Sequence, residues 1–269
     1  VKGDVPLKCD PSYVPLAKAN NNTVAALANN HLFDYGTDGM KDTLKSLDDA
    51  GITHIGAGNN ESQARQTASS DINGRNITII NYMDSNNFKE YSTDVMPQAN
   101  GSNPGYSAYD SDVAKCQIQD AKANGSDVVI VYFHFGNEYS RSPNPDQEKM
   151  AHEVIDYGAD AVLGSHPHVT QGIEMYNGKP IFYSLGNFIF DMSNSATHIA
   201  YIVKIDFVND TGECTVYPVI ISGYLPYFMG PDEGTSLLNS LYPQCDDLEI
   251  TPEGTGKLYF NLTGDTNES

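Results

Sequence analysis

The sequence predicts an α/β fold of the layered sandwich type, with central mixed sheets flanked by helices and a second sheet that is largely antiparallel. Two observations predict this fold. Between about residues 24 and 190, short apolar strands alternate with amphipathic helices, which is typical of stacked βαβ units. From about residue 172 onward the helical pattern stops and strand patterns follow one another directly. We therefore expect one large domain over residues 1–225 and a polar C-terminal extension over residues 226–269.

Each element is predicted from a local pattern of apolar residues and breakers. The predicted strands are, in chain order, 24–28, 52–56, 77–82, 128–133, 161–163, 172–176, 180–184, 201–208 and 214–221. The predicted helices are 38–50, 111–123 and 145–157, and residues 84–109 are predicted to form a long surface loop. Met40, Leu44 and Leu47 share one face of the first helix, which Gly51 ends, and Pro145 opens the third helix. The fourth strand is apolar throughout, which indicates burial on both faces.

The charge of the chain limits its partners. It has 269 residues, of which 15 are basic and 35 acidic, so that the formal net charge is −20. Such a surface repels nucleic acid and anionic lipid head groups, and we expect neither as a partner. A polyanionic substrate would bind only where metal ions or a local basic pocket reverse the field.

The sequence also limits the class of cofactor. Its four cysteines include no Cys-x-x-Cys pair, which disfavours zinc-ribbon and thioredoxin-like chemistry. No apolar run approaches the ~18 residues that a spanning helix needs, and the first residues do not resemble a signal peptide. We expect any export signal or membrane anchor to have been removed or to lie outside this sequence.

Three polar clusters each follow a predicted strand. In open α/β sheets, ligands bind beyond the carboxyl ends of the strands, so clusters that are distant in sequence are predicted to converge there. Neutral imidazole is the commonest side-chain ligand of first-row metals, and an amide oxygen is a workable harder ligand. A lone histidine is more often a hydrogen-bonded loop residue, but three such clusters at strand ends favour a metal site. The clusters are Asn29-Asn30-His31, His134-Phe135-Gly136-Asn137-Glu138 and His166-Pro167-His168.

Longer stretches around these clusters resemble a known family. Asn30-His31, His134 and Gly164-Ser165-His166-Pro167-His168 resemble the later motifs of the calcineurin-like metallophosphoesterases. The more specific resemblance is to the CapA-like branch (PGA_cap), whose members act in the synthesis of poly-γ-glutamate capsules. The stretches that carry it are residues 28–31, 34–36, 134–139, 164–172 and 178–188. The resemblance covers about residues 5–220 and implies a metallophosphoesterase-like sandwich.

The resemblance also implies a role for each residue of the clusters. His31 would protonate the leaving oxygen of a phosphoester. Two divalent ions (manganese, iron or zinc) would clamp the phosphoryl group and generate a hydroxide nucleophile. The residues implied as metal ligands are Asn30, His134, His166 and His168, and those implied to orient substrate or ligands are Asn29, Asp34, Glu138 and Asn187.

One part of the family pattern has no counterpart in this sequence. The family begins with a strand that ends in Gly-Asp and continues with an Asn-x-Glu segment, and both contribute to its metal site. Gly3-Asp4 lies only 25 residues before Asn29, too close to match that opening, so the chain looks as though it lacks the first strand–helix units. These units would be cleaved, disordered, truly absent or supplied by another chain. Without their carboxylates we expect weaker binding of divalent metals.

Two functions remain open. The first is a metal-dependent, phosphoesterase-like hydrolase that acts on an anionic small molecule at the surface of a bacterium or outside it. The second is a non-catalytic protein of capsule assembly that binds polyglutamate or components of the capsule synthase. Near the clusters, a solvated surface position is favoured over substrate contact for Arg141 and Lys179, and a solvated helix face is favoured for His152.

Overall fold

The computed structural model describes residues 6–88, 95–190 and 192–262. The chain divides into two compact units, Val1–His134 and Phe135–Ser269. Each unit combines sheets with helices that flank them, and one sheet of the second unit is antiparallel throughout. The predicted α/β class is therefore confirmed, and the predicted boundary near residue 225 stays a prediction. Among the described residues, no helix has both the length and the apolar character that a membrane-spanning segment requires.

The first unit contains short strands and three α-helices among its described residues. The strands are β1 (Val24–Ala26), β2 (Thr53–Ile55), β3 (Ala57–Gly58), β4 (Ala68–Ile72), β5 (Arg75–Met83), β6 (Gly105–Tyr106) and β7 (Val128–His134). The helices are α1 (Gly36–Ala50), α2 (Glu61–Ala64) and α3 (Ser111–Ala123). Short 3-10 helices cover Pro11–Ala17 and Ser85–Phe88.

The parallel pair of β5 and β7 positions the chemistry of the first unit. Met83 lies opposite His134 at the carboxyl ends of these strands, and β4 pairs antiparallel with the other edge of β5. β1 and β2 form a separate parallel pair, and β3 and β6 form an antiparallel pair. Because β5 and β7 run in the same direction, the residue that follows Met83 lies beside the end of β7.

α1 forms where the apolar spacing predicts a helix. Met40 and Leu44 lie on its buried face and join the core cluster around Phe33 and Tyr106. The helix ends at Gly51, which has a φ of 64°. This left-handed conformation is the usual helix stop and favours a residue without a Cβ atom.

The second unit contains two α-helices and a larger set of strands. The helices are α4 (Pro145–Asp156) and α5 (Pro231–Ser240). The strands are β8 (Ala161–Ser165), β9 (Ile173–Tyr176), β10 (Lys179–Phe182), β11 (Ile199–Val208), β12 (Thr211–Ser222), β13 (Leu225–Phe228), β14 (Glu249–Ile250) and β15 (Gly256–Asn261). A short 3-10 helix covers Ser195–His198.

Two groups of strands organise the second unit. β8, β10 and β9 lie side by side, with β10 parallel to β8 and antiparallel to β9. β11 and β12 form a long hairpin, and β12 pairs along its other edge with β13 and β15, while β14 pairs with β15. α4 begins with a capping box between Asn144 and Gln147, with Pro145 in its first turn, as the sequence signal predicts.

Two predictions about secondary structure are wrong. The sequence predicted no helix after residue 172, but α5 is one, and Gly234 in its interior explains the weak signal. A Cβ atom at Gly234 would lie 2.3 Å from the carbonyl oxygen of Gly254, so packing requires glycine at a position where it weakens the helix pattern. The predicted loop over residues 84–109 contains β6, and its residues 89–94 lie outside the described part of the chain.

Candidate functional site

Asn81 holds the segment that carries the first cluster. Its side-chain oxygen accepts a hydrogen bond of 2.8 Å from the backbone N–H of Ala28, just after β1. Its amide nitrogen donates a hydrogen bond of 2.9 Å to the carbonyl oxygen of Tyr132 in β7. Asn81 is buried, so these bonds tie the exit of β1 to the central pair of strands. Sequence reasoning missed this residue because an asparagine inside a strand pattern gives no local signal.

The structure brings Asn30 and His134 together across 104 positions of the sequence. His134 Nε2 lies 2.9 Å from Asn30 Oδ1, and with the amide oxygen facing the ring Nε2 carries the hydrogen. Two ligands at right angles around one ion, with bonds of about 2.1 Å, would be about 3 Å apart. The two atoms are hydrogen-bonded to each other, and a shared metal ion would have to take the place of that hydrogen.

His31 and Asp34 form a hydrogen-bonded pair in the same unit. Their Nδ1 and Oδ2 atoms are 2.8 Å apart, with 32% of the His31 side chain exposed and 2% of the Asp34 side chain. The backbone N–H of Leu7 donates a second bond to the same carboxylate oxygen. A buried carboxylate on Nδ1 fixes the orientation of the ring and leaves Nε2 for a ligand. Asn29 Oδ1 accepts from the backbone N–H of His31, so Asn29 shapes the turn.

Asp84 is a carboxylate that the sequence did not single out. It follows the last residue of β5, and its backbone N–H donates a hydrogen bond of 3.0 Å to the carbonyl oxygen of His134. The residue is 2% exposed. Its charge contributes to raising the pKa of Tyr106, after the larger effect of burial. The pairing of β5 with β7 is the signal that could have identified it, since both strands end at the same level.

The loop after β8 holds two histidines in an unusual backbone conformation. His166 has a φ of 104° and His168 a φ of 62°, in the region that L-residues rarely occupy. Gly164 lies just before them. A Cβ atom at this position would lie 2.2 Å from the carbonyl oxygen of Tyr183, so the close approach requires glycine. Strained residues of this kind cluster at functional sites, where the surrounding structure holds them in place.

Asn187 fixes the ring of His168. Its amide nitrogen donates to the carbonyl oxygen of Thr197 at 3.2 Å, so its oxygen faces His168 Nδ1 at 2.8 Å. Nδ1 of His168 must therefore carry the hydrogen, and Nε2 presents its lone pair. This is the tautomer that binding of a metal through Nε2 requires. The geometry suits the orienting role that the resemblance implies for Asn187.

Two aromatic rings lie near the ring of His168. The ring centroid of Tyr139 is 6.2 Å from that of His168, and the centroid of Phe190 is 5.3 Å from it. Tyr139 also has a positive φ, of 63°, and its N–H donates to the carbonyl oxygen of Pro167. Burial and the charge of Glu138 raise the pKa of Tyr139. Glu138 itself is exposed, and it lies in the loop that the hydrogen bond from Tyr139 to Pro167 holds in place.

Two of the expectations for nearby residues are wrong. Lys179 is not a solvated surface residue, because its side chain is 14% exposed and pairs with buried Asp160 at 3.0 Å. His152 is 30% exposed, and its Nε2 contacts both carboxylate oxygens of Glu174 while its ring stacks on Tyr176 at 3.7 Å. These contacts give Lys179 and His152 structural roles. Arg141 is exposed, as expected.

The donors suit a divalent metal in kind but fall short in number. In residues 6–88, 95–190 and 192–262, no group of three or more His, Cys, Asp or Glu side chains is arranged to hold a metal ion. In the first unit, Asn30 and His134 offer one amide oxygen and one imidazole, whereas protein zinc sites use three or four ligands. In the second unit, His168 offers one prepared nitrogen. Each unit thus supplies some of the predicted metal ligands, and the predicted convergence of all the clusters stays a prediction.

Comparison with known proteins identifies the family. The profile of the family described as "Bacterial capsule synthesis protein PGA_cap" matches residues 1–192, which is most of the chain. The chain belongs to this family. A capsule biosynthesis protein CapA of Bacillus anthracis is 35% identical over 204 residues, which cover 75% of this chain and 48% of that protein. The PGA biosynthesis protein CapA of Bacillus subtilis is 36% identical over 225 residues, covering 83% of this chain and 57% of that protein.

More distant similarities are found among curated proteins and solved structures. A probable polyglutamine synthesis accessory protein of Mycobacterium tuberculosis is 32% identical over 197 residues, covering 71% of this chain and 51% of that protein. The chain thus spans about half the length of the curated relatives it matches. Among solved structures, the calcineurin-like phosphoesterase YfkN of Bacillus subtilis gives a TM-score of 0.43 at 14% identity, over 96% of this chain and 68% of that one. A likeness at that level supports no inference about activity.

Proposed function

We propose that this member of the capsule synthesis family acts at the bacterial cell surface in the synthesis of poly-γ-glutamate, with His31 as an acid–base group toward an anionic, phosphoester-like substrate. The observation that carries the proposal is the pair of His31 and Asp34. A partly exposed imidazole, oriented on one nitrogen by a buried carboxylate, is suited to move a proton on its other nitrogen. The names of the Bacillus relatives supply the process.

Different residues of the chain would transfer the proton and hold the metal ions. Asp34 would hold the His31 ring and stabilise its protonated form, so that Nε2 delivers the proton to a leaving oxygen. Asn30 and His134 would hold a divalent ion in the first unit, and His166 and His168 in the second. A bound manganese, iron or zinc ion supplies Lewis-acid stabilisation of phosphoryl oxygens. Such ions would also offset the negative field of a chain with a net charge of −20.

A second function is favoured by one observation. The described residues offer no group of three His, Cys, Asp or Glu side chains arranged around a metal ion. A protein with so few ligands could instead bind polyglutamate, or components of the capsule synthase, without catalysis. In that case the histidines would contact carboxylates as hydrogen-bond donors.

Both functions are tested with His31→Ala in the full-length gene of the organism that carries it. The matched control is His54→Ala, whose ring contacts Asp48 at 3.1 Å and lies outside the clusters. Loss of a general acid lowers a rate by about 10²- to 10⁴-fold. We therefore expect His31→Ala to lower hydrolysis of a phosphodiester in the presence of manganese by that factor and to reduce the polyglutamate released by the cells.

The two readouts separate the proposals. If the unchanged protein hydrolyses no phosphodiester but His31→Ala still reduces polyglutamate, the non-catalytic function is correct. If neither readout responds to His31→Ala while His166→Ala together with His168→Ala abolishes capsule formation, the role given to His31 is wrong.

A further inference from the structure

The second unit contains a cavity of about 470 Å³ that none of the residues proposed to bind metal or substrate lines. Its volume lies in the range of pockets that hold small molecules. Its walls are mostly apolar and include Ile199 of β11, Ile220 of β12, and Leu237 and Leu241 of α5. Val169, the residue after His168, also lines it. The cavity is therefore mostly apolar and lies directly beside the loop that holds His166 and His168.

Charged groups of both signs line the same cavity. Arg141 contributes a guanidinium group, and Asp232 and Glu233 contribute carboxylates from the first turn of α5. Within the described part of the chain, none of these three side chains forms an ion pair with another residue. A ligand with an anionic group near Arg141 and a cationic group near the carboxylates would complement these charges, while its apolar part contacts the walls.

The segment beside the cavity is unusually apolar for this acidic chain. The eighteen residues from Cys214 to Pro231 contain no charged side chain. They include β13, an edge strand whose Leu225 is 58% exposed and whose Phe228 is 69% exposed, and Tyr224 before it is 67% exposed. Met229, next to Phe228, lines the cavity. Exposed tyrosine and phenylalanine side chains without charge are typical of surfaces that meet the interfacial region of lipids.

We propose that this cavity binds a zwitterionic amphiphile, with its phosphate or carboxylate on Arg141, its ammonium group on Asp232 and Glu233, and its apolar chain between β11, β12 and α5. The proposal goes beyond the synthesis of polyglutamate and does not depend on the role of His31. The ligand would come either from free monomers or from a lipid surface contacted by the exposed residues of β13.

The test uses dodecylphosphocholine below its micelle-forming concentration, followed by calorimetry. Dodecyl maltoside has the same chain without charges, and glycerophosphocholine has the same head group without the chain. We expect dodecylphosphocholine to bind most tightly and glycerophosphocholine not at all. Because the charged groups are exposed, Arg141→Gln should weaken binding of dodecylphosphocholine by about two- to fivefold and leave the maltoside unchanged.

Ser236→Trp and Asn239→Trp form a matched pair of variants on α5. Both replace an exposed polar residue of the same helix, but only Ser236 lines the cavity. We expect Ser236→Trp to fill the cavity and abolish binding, and Asn239→Trp to bind like the unchanged protein. Equal binding by both variants, or equal affinity for the zwitterion and the maltoside, would overturn the proposal.

Vesicles of phosphatidylcholine distinguish the two sources of the ligand. If the protein sediments with vesicles and Phe228→Ser abolishes this without weakening dodecylphosphocholine, the ligand is taken from a lipid surface. If it binds the monomer but no vesicles, the ligand is a free amphiphile. Binding to vesicles without any binding of the monomer would show that the cavity is not the site.

Discussion

The two units hold their histidines by different physical means. In the first unit, His31 and His134 are fixed by side-chain partners, Asp34 and Asn30, and neither has a positive φ. In the second unit, Asn187 also holds the ring of His168, but the backbone of His166 and His168 lies in the left-handed region, with φ values of 104° and 62°. The first arrangement depends on hydrogen bonds alone, and the second adds a strained loop.

The two units also differ in which ring nitrogen is available. In the first unit, His134 Nε2 carries a hydrogen that faces Asn30, so a metal ion would have to displace a proton there. In the second unit, Asn187 already holds His168 in the tautomer whose Nε2 lone pair is free. The strained loop is thus the better prepared of the two for a metal, at an energetic cost that the rest of the unit must offset.

The largest expected effect is a loss of metal affinity, which we compare between the ligands of the two units. His166→Ala combined with His168→Ala should lower zinc or manganese affinity by more than the 10- to 100-fold that the loss of an outer-shell partner causes. Asn30→Ala should cause a smaller loss, about tenfold, because it removes a weak neutral oxygen ligand. Calorimetric titration with each metal, and metal content after dialysis, measure both.

His54→Ala is the control for these variants, since its ring lies outside the clusters. If the double variant binds zinc as tightly as the unchanged protein, the second unit holds no metal. If Asn30→Ala causes the larger loss, the comparison between the units is reversed.

The second-largest effect is the dependence of the free energy of unfolding on pH, which we attribute in part to Tyr106 in the first unit. Burial raises the pKa of Tyr106 to about 12 from 10.0, and the charge of Asp84 adds to this. Below pH 10 the phenol is neutral in the folded and the unfolded chain, so its stabilising contribution is complete. As the pH rises toward 12, only the unfolded chain loses the proton, and the free energy of unfolding falls by about 2 to 3 kcal/mol.

Urea unfolding between pH 9 and 12 measures this decrease. Burial also raises the pKa of Tyr82, Tyr183 and Tyr201, so these residues add to the decrease. Tyr106→Phe should therefore make the decrease smaller by about 2 to 3 kcal/mol, whereas Tyr224→Phe, at a position that is 67% exposed, should leave it unchanged. A decrease of the same size in Tyr106→Phe would show that other groups cause it.

In both units the sequence predicts local elements better than contacts between distant segments. α1, α3 and α4 follow from apolar spacing and from breakers such as Gly51 and Pro145, because those signals are local. Asp84 was not predicted, because its relevance depends on the parallel register of β5 with β7. The positive φ values of His166 and His168 were not predicted either, since loop contacts distant in sequence impose them.

The smallest effect isolates the backbone strain itself and should reverse in sign between the units. At position 168 the left-handed conformation costs an L-residue about 1 to 2 kcal/mol, a cost that glycine does not have. His168→Gly should therefore be more stable than His168→Ala by about 1 kcal/mol. At position 31, which has no positive φ, His31→Gly should be less stable than His31→Ala by about 0.5 to 1 kcal/mol. Each pair removes the same ring, so the lost contacts cancel and the difference in unfolding free energy reports the backbone. If alanine is the more stable substitution at both positions, strain does not hold the second loop.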